Sequence, residues 1–315
     1  MQLLEINKEK YIGQADPFIL ENGGRFYIYT TGKDGIYAYS SDELLSGWKF
    51  EGRVFHYDDP TVYDYWAPSV IELDGTFYMY NSFEYDADVP DQGGHHQAMF
   101  VSSSKNPLGP FENAKQLLHP FSIDSHVVKN EDGLFIFYST NTFEGERIGT
   151  YIVVDKLIDP ETVAGNPVPV ITASIDEEIY CRDRYEKGIH WHTLEGAFYF
   201  KEGDWQYVMY SGACYENEKY FIGYARAKTD ETDLTKMKFE KYPDDKTYAP
   251  VLNSNEWEEG TGHHSMIKHK GEWYAIYHAR NAEEDGLNGD RRNARICRLI
   301  VKDGIITADR KQFEV

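Results

Sequence analysis

The chain has 315 residues, with 53 acidic and 32 basic side chains and a formal net charge of −21. That balance argues against a nucleic-acid or anionic-membrane partner, since either needs a basic face. With 41% apolar and 15% aromatic residues it can fill a sizeable core, so a disordered acidic chain is excluded and the many rings favour strands.

Read from the N-terminus, the first residues, MQLLEINKEK, carry charge inside the segment and form no signal-peptide run. No stretch reaches the roughly 18 apolar residues of a membrane span, so a soluble, cytoplasmic protein is expected. The cysteines Cys181, Cys214 and Cys297 are odd in number and lack CxxC spacing, as isolated reduced thiols would be. A repeated pattern then runs along the chain. A short apolar strand at 17–20 is followed by a turn glycine and the run GRFYIY at 24–29, a third strand at 35–40 and an edge strand near 48–50. The pattern returns at 69–73, GTFYMY at 75–80, 98–102 and 111–113. It returns again at 126–129, GLFIFY at 133–138 and 149–154. A fourth copy covers 197–200, GDWQYVMY at 203–210, 221–225 and 238–240; a fifth covers 265–268, GEWYAIY at 271–277 and 294–299. Acidic-Gly pairs such as Asp74-Gly75 and Asp132-Gly133 mark tight hairpins.

Five such units predict an all-β chain, a single domain over 1–315, folded as a five-bladed β-propeller whose blades are four-stranded antiparallel meanders. A large β-sandwich is the competing architecture, but its strands would not recur five times with the same turn chemistry. Wider spacing in the last two units predicts long loops, which tend to carry function.

Strands nearest a propeller axis start at one face, so the residues just before the first strand of each unit should converge. These are Asp16, Ala67-Pro68 after Trp66, Asp124, Glu195 and His263. Three are carboxylates from three separate units. Crowded carboxylates split their pKa values into one ionised base and one protonated acid, the equipment for cleaving a glycosidic bond.

The segments Ala15-Asp16-Pro17-Phe18, Trp66-Ala67-Pro68, Ile123-Asp124, Glu195-Gly196 and Gly260-Thr261-Gly262-His263 resemble the blade-start motifs of glycoside hydrolase family 43, over essentially the whole chain. The family comprises arabinofuranosidases, arabinanases and β-xylosidases on five-bladed propellers. The resemblance implies an inverting mechanism in which Asp16 is the general base, Glu195 the general acid, and Asp124 raises the pKa of that acid and orients it. It further implies that Arg292 reaches the innermost sugar, with Arg295 as the fallback, and that His263 lies on the axis near a structural calcium; no cofactor is required for the chemistry. Ala197 stands where the family commonly has proline, and Ser125-His126 follow Ile-Asp, which bears more on pocket shape than on mechanism.

The remaining candidates have competing readings. Trp66 either walls the sugar ring or packs in the core, His263 is either axial or purely structural, and Arg292 either reaches the sugar or lies on the surface. His264 is expected to pack. His190-Trp191-His192 either line the funnel or bind a metal, Asp86, Asp88 and Asp91 form a solvated acidic loop, and His95-His96 border the pocket mouth. No G-x-S-x-G elbow is present, which disfavours a serine hydrolase. The expected activity is release of α-L-arabinofuranosyl or β-D-xylosyl units from small plant-derived oligosaccharides. The absence of a second domain inclines the reading to arabinofuranosidase. The alternatives are an endo-arabinanase or a fructosidase-like hydrolase, and, in another class, a non-catalytic carbohydrate-binding propeller.

Overall fold

The computed structural model describes residues 1–4, 13–59, 61–85, 95–282 and 291–310. Its first unit consists of β1 (Phe18–Asn22), β2 (Arg25–Thr30), β3 (Ile36–Ser41) and β4 (Lys49–Phe55). The second contains β5 (Trp66–Leu73), β6 (Thr76–Glu84), β7 (Gln97–Ser104) and β8 (Glu112–Leu118). In the third, β9 (Ile123–Asn130), β10 (Gly133–Thr142) and β11 (Gly149–Asp159) are flanked by the short β12 (Thr162–Val163) and β13 (Val168–Ile171), both paired with β11. A 3-10 turn at Asp176–Glu178 and β14 (Ile179–Cys181) lead to the fourth, β15 (Trp191–Glu202), β16 (Trp205–Gly212), β17 (Phe221–Lys228) and β18 (Glu240–Lys241). The fifth is β19 (Glu258–His269), β20 (Glu272–Asn281), β21 (Asn293–Lys302) and β22 (Ile305–Asp309).

Within each unit, sequential strands pair antiparallel, and the first two of every unit are joined by a two-residue turn. The third and fourth units are welded into one ten-stranded sheet by a short parallel pairing of Gly149 and Thr150 with His192 and Thr193. Gly149 is required there: with φ at +145°, a Cβ on it would lie 1.9 Å from the His192 carbonyl oxygen. The expected fourth strand near 238–240 is reduced to the two residues of β18, because the chain leaves the sheet edge at once.

The core occupies the spaces between units. Tyr29 and Val54 pack with Phe83 and Phe100 between the first and second units, and Met99 with Val127 and Ile136 between the second and third. Phe137 and Ile152 meet Val208 and Phe221 between the third and fourth, and Met209 and Tyr224 meet Met266 and Tyr277 between the fourth and fifth. Ile276 and Ile296 of the fifth unit pack against Ile28 and Tyr39 of the first. Each fully buried side chain of this kind contributes about 1.5–3 kcal/mol, so these clusters hold the units to one another. The first strands also touch in succession, β1 with β5, β5 with β9, β9 with β15, β15 with β19, and β19 with β1.

Candidate active site

The first strands begin earlier than the apolar pattern suggests. Trp66, Ala67, Asp124, Glu195 and His263 lie inside β5, β9, β15 and β19, not ahead of them; only Asp16 precedes its strand. The polar residues were read as loop because they interrupt the apolar alternation, yet each sits at a bulge where the ladder loses register: between Trp66 and Ser69, Ile123 and His126, Glu195 and Phe198, and Gly262 and His264. A bulge inserts a residue, bends the strand and re-aims side chains. One residue per unit is left-handed at that point: Asp16 (φ 52°), Ala67 (φ 47°), Asp124 (φ 59°), Gly196 (φ 62°) and His263 (φ 42°). For the four that are not glycine this conformation costs on the order of 1–2 kcal/mol each, strain of the kind that gathers at functional sites. The register also corrects the expected equivalence: Gly196, not Glu195, matches Asp16 and Asp124, and Glu195 stands one residue earlier, level with Trp66 and Ile123.

All six sequence-predicted site residues, Asp16, Asp124, Glu195, Trp66, His263 and Arg292, line one cavity of about 410 Å³. Asp16 is buried and heavily partnered. Its Oδ2 accepts the Thr31 hydroxyl at 2.5 Å, and its Oδ1 lies 3.3 Å from an Arg292 guanidinium nitrogen and 3.4 Å from His263 Nδ1. The Asp16 N–H donates to His278 Nδ1 at 3.2 Å, and the same ring nitrogen lies 3.2 Å from Asp16 Oδ1. Burial opposes ionisation of Asp16, but His263, Arg292 and His278 outweigh it and hold the carboxyl well below the usual range. Asp16 is therefore ionised.

Glu195 behaves in the opposite way. Burial pushes its carboxyl up to about 7, helped by the Asp16 charge, while the Tyr220 hydroxyl, which donates to Oε1 at 2.6 Å, and Arg292 pull it down. Burial and the charges of Glu195 and Asp16 also push Asp124 well above its ordinary range. The Gly196 N–H donates to Asp124 Oδ2 at 3.1 Å and favours the charged form of that group. Sequence reasoning expected Asp124 to act on Glu195 in one direction. The repulsion acts on Asp124, which the Glu195 and Asp16 charges raise, whereas burial and the Asp16 charge raise Glu195.

Arg292 is not a surface residue; it is buried, contacts Asp16 and stacks 4.4 Å over the Tyr215 ring. Arg295 is not the substitute, since it engages Glu258 and Asn281. Trp66 lines the cavity and meets His95 edge-on at 5.2 Å. His264 packs against Phe198. His192 is bound to Arg147 and His190 to Asp183, away from the cavity, whereas Trp191 lines a neighbouring one. Asp86, Asp88 and Asp91 lie outside the described residues.

His263 is buried, which lowers its pKa while the Asp16 charge opposes that shift; its Nδ1 lies 3.4 Å from Asp16 Oδ1 and 3.6 Å from Asp124 Oδ2. Among the described residues no group of three or more His, Cys, Asp or Glu side chains is arranged to hold a metal ion. The donors around His263 thus do not fit a protein-ligated calcium, and no step is drawn through one.

Sequence reasoning missed Thr31, Tyr220 and His278. Thr31 accepts the Ala67 N–H while donating to Asp16, so it ties the first two units at the base. Tyr220 stacks on His278, with centroids 5.7 Å apart and planes 9° apart, and so links the partners of Glu195 and Asp16. One signal was present: Gly262 in Gly260-Thr261-Gly262, whose Cβ would lie 1.9 Å from the Tyr220 ring.

Two buried carboxyls in one cavity, one held ionised and the other raised to about 7, suit the cleavage of a glycosidic bond. Residues 12–306 match the glycosyl hydrolases of family 43, and the chain belongs to that family. It is a glycosidase. It is 25% identical, over 88% of its length and 82% of the relative, to an extracellular exo-α-(1→5)-L-arabinofuranosidase of Cellvibrio japonicus. Among solved structures it resembles a thermostable family-43 glycoside hydrolase, with 28% identity, 98% and 96% of the two chains covered and a TM-score of 0.78. It also resembles an endo-1,4-β-xylanase of Bacteroides thetaiotaomicron, with 26% identity, 95% of each chain covered and a TM-score of 0.74.

Proposed function

We propose that the five units are the blades of a single five-bladed β-propeller, and that the protein is an inverting α-L-arabinofuranosidase releasing terminal pentose from small oligosaccharides. The ring of contacts among first strands and the five inter-unit clusters support the blade count. The observation that carries the activity is the opposed state of two carboxyls in one cavity, Asp16 held ionised and Glu195 raised to about 7.

In this reading, Asp16 Oδ1 or Oδ2 takes a proton from water as that water attacks the anomeric carbon. Glu195, kept protonated by burial and the Asp16 charge, gives its proton to the departing glycosidic oxygen, and Asp124, which accepts the Gly196 N–H, orients the strand that carries the acid. Arg292 and Thr31 hold the base in place. Solvent exchange then returns the proton from Asp16 to Glu195. Inversion requires carboxyl groups roughly 6.5–9.5 Å apart, leaving room for the water. The arabinofuranosyl preference follows the exo-arabinofuranosidase relative; similarity to the endo-xylanase favours β-D-xylosyl transfer to water as the second reading. Three unpaired thiols support action in a reducing, cytoplasmic setting.

The test is turnover of nitrophenyl α-L-arabinofuranoside and β-D-xyloside by the wild type and by Asp16→Asn and Glu195→Gln. Loss of a general base or acid removes about 10²–10⁴-fold of rate, so Asp16→Asn should fall by that factor on both glycosides, and Glu195→Gln on the matching oligosaccharides, whose leaving groups need a proton, with unchanged circular dichroism. Near-full activity of either variant on those substrates contradicts the roles.

A further inference from the structure

Glu195 stands at a junction. It lines the 410 Å³ cavity together with Asp16, Asp124 and Arg292, and it also lines a second, narrower cavity of about 90 Å³ that none of those three touches. A general acid must reach the oxygen that bridges the two sugars. If the sugar being released lies beside Asp16, the saccharide that leaves must extend past Glu195 into the second cavity. That cavity is lined by the neutral hydrogen-bonding groups Asn141, Thr150 and Thr193, by rings and by Arg184, with Glu195 the only carboxylate among the described residues that line it.

Its outer wall continues onto the surface. Trp191 packs against Phe143 at 5.3 Å and Tyr185 at 6.0 Å between ring centroids, and the Arg184 guanidinium lies 4.8 Å over Trp191 and 5.7 Å over Tyr185. Phe143 is 50% exposed and Tyr185 53% exposed. Clustered exposed rings bordering a cavity mark a binding surface, not idle packing. The C–H faces of a neutral sugar match ring faces, while its hydroxyl rim matches the amide and hydroxyl groups deeper in.

We propose that Phe143, Tyr185 and Trp191, braced by Arg184, form a leaving-side saccharide site that makes the enzyme favour oligosaccharides of three or more sugars over disaccharides and aryl glycosides. This site rests on the glycosidase roles proposed above for Asp16 and Glu195. One sugar beyond the cleaved bond occupies the narrow cavity, and the next lies on the exposed Phe143 and Tyr185 rings.

The experiment measures kcat/KM for nitrophenyl pentosides and for the di-, tri- and tetrasaccharides of the α-1,5-arabinose and β-1,4-xylose series. The wild type is compared with Phe143→Ala and Tyr185→Ala, whose exposed rings can be removed without opening the core. In whichever series is cleaved, the wild type should gain roughly three- to tenfold from disaccharide to trisaccharide, and each variant should lose a similar factor on the trisaccharide only. A flat length dependence in the wild type, variants equal to wild type on the trisaccharide, or an equal loss on nitrophenyl pentosides would each overturn the site. Failure of the wild type to release pentose from any of these substrates would overturn the activity reading and the site with it.

Discussion

Tyr220 connects the two ends of the chemistry. Its hydroxyl donates to Glu195 and lowers the pKa of that acid, while its ring lies flat on His278, the acceptor of the Asp16 N–H. In the proposed mechanism Glu195 acts in its protonated form, so activity should decline as pH rises through about 7. Tyr220→Phe removes a bond that favours the charged form, so the Glu195 pKa should rise and the alkaline limb of kcat/KM should move to higher pH. The same variant should slow substrates with poor leaving groups more than dinitrophenyl glycosides, which depart with little protonation. A limb that stays in place would show that the hydroxyl does not govern the acid. Gly262→Ala, by forcing a Cβ into the Tyr220 ring, should move the limb in the same direction and lower stability as well. Asp16 and Asp124 were legible in the sequence because a repeat gives each acid a position that can be compared across units. Tyr220 was not, because its value comes from contact with residues 25 and 58 positions away, Glu195 and His278, which no local pattern encodes.

The first strands explain how polar residues come to stand in a core. All but β1 start as a regular ladder at the turn end and are broken by a bulge toward the cavity, so apolar residues such as Phe198 and Met266 stay in inter-unit clusters while Glu195 and His263 face the site. The apolar alternation foretold the ladder halves and stopped at the bulges. For that reason the strand starts were read too late and Glu195 was placed one residue out of register. A second device positions the insert between β13 and β15. Glu178, fully buried, pairs with Lys241 of β18 at 2.6 Å and accepts the Ser174 N–H at 2.7 Å. This pins the segment that carries Tyr180, Arg184 and Tyr185 beside the second cavity. Truncating one partner leaves a buried charge alone, so Glu178→Ala should cost about 3–5 kcal/mol in denaturant unfolding. Glu178→Leu combined with Lys241→Met should recover most of that loss. A Glu178→Ala protein as stable as the wild type would show that the pair does not anchor the insert.

Across the molecule, the cavity belongs to no single unit. Asp16 comes from the first, Trp66 from the second, Asp124 from the third, Glu195 from the fourth, and His263 and Arg292 from the fifth. The inter-unit clusters therefore set the spacing of the acids, and the spacing sets the stereochemistry. The fivefold repetition was readable from the glycine-aromatic runs, and the family from the motifs around Asp16, Trp66, Asp124, Glu195 and His263. The raised pKa values of Asp124 and Glu195 were not, because they depend on burial and on charges brought together from different units. The most direct measurement is proton NMR of the first sugar released from a cleaved oligosaccharide or nitrophenyl pentoside, recorded before mutarotation. Water activated by Asp16 should yield the anomer opposite to the substrate bond; release with the configuration of the substrate would mean that Asp16 attacks the sugar itself and would contradict its role as base.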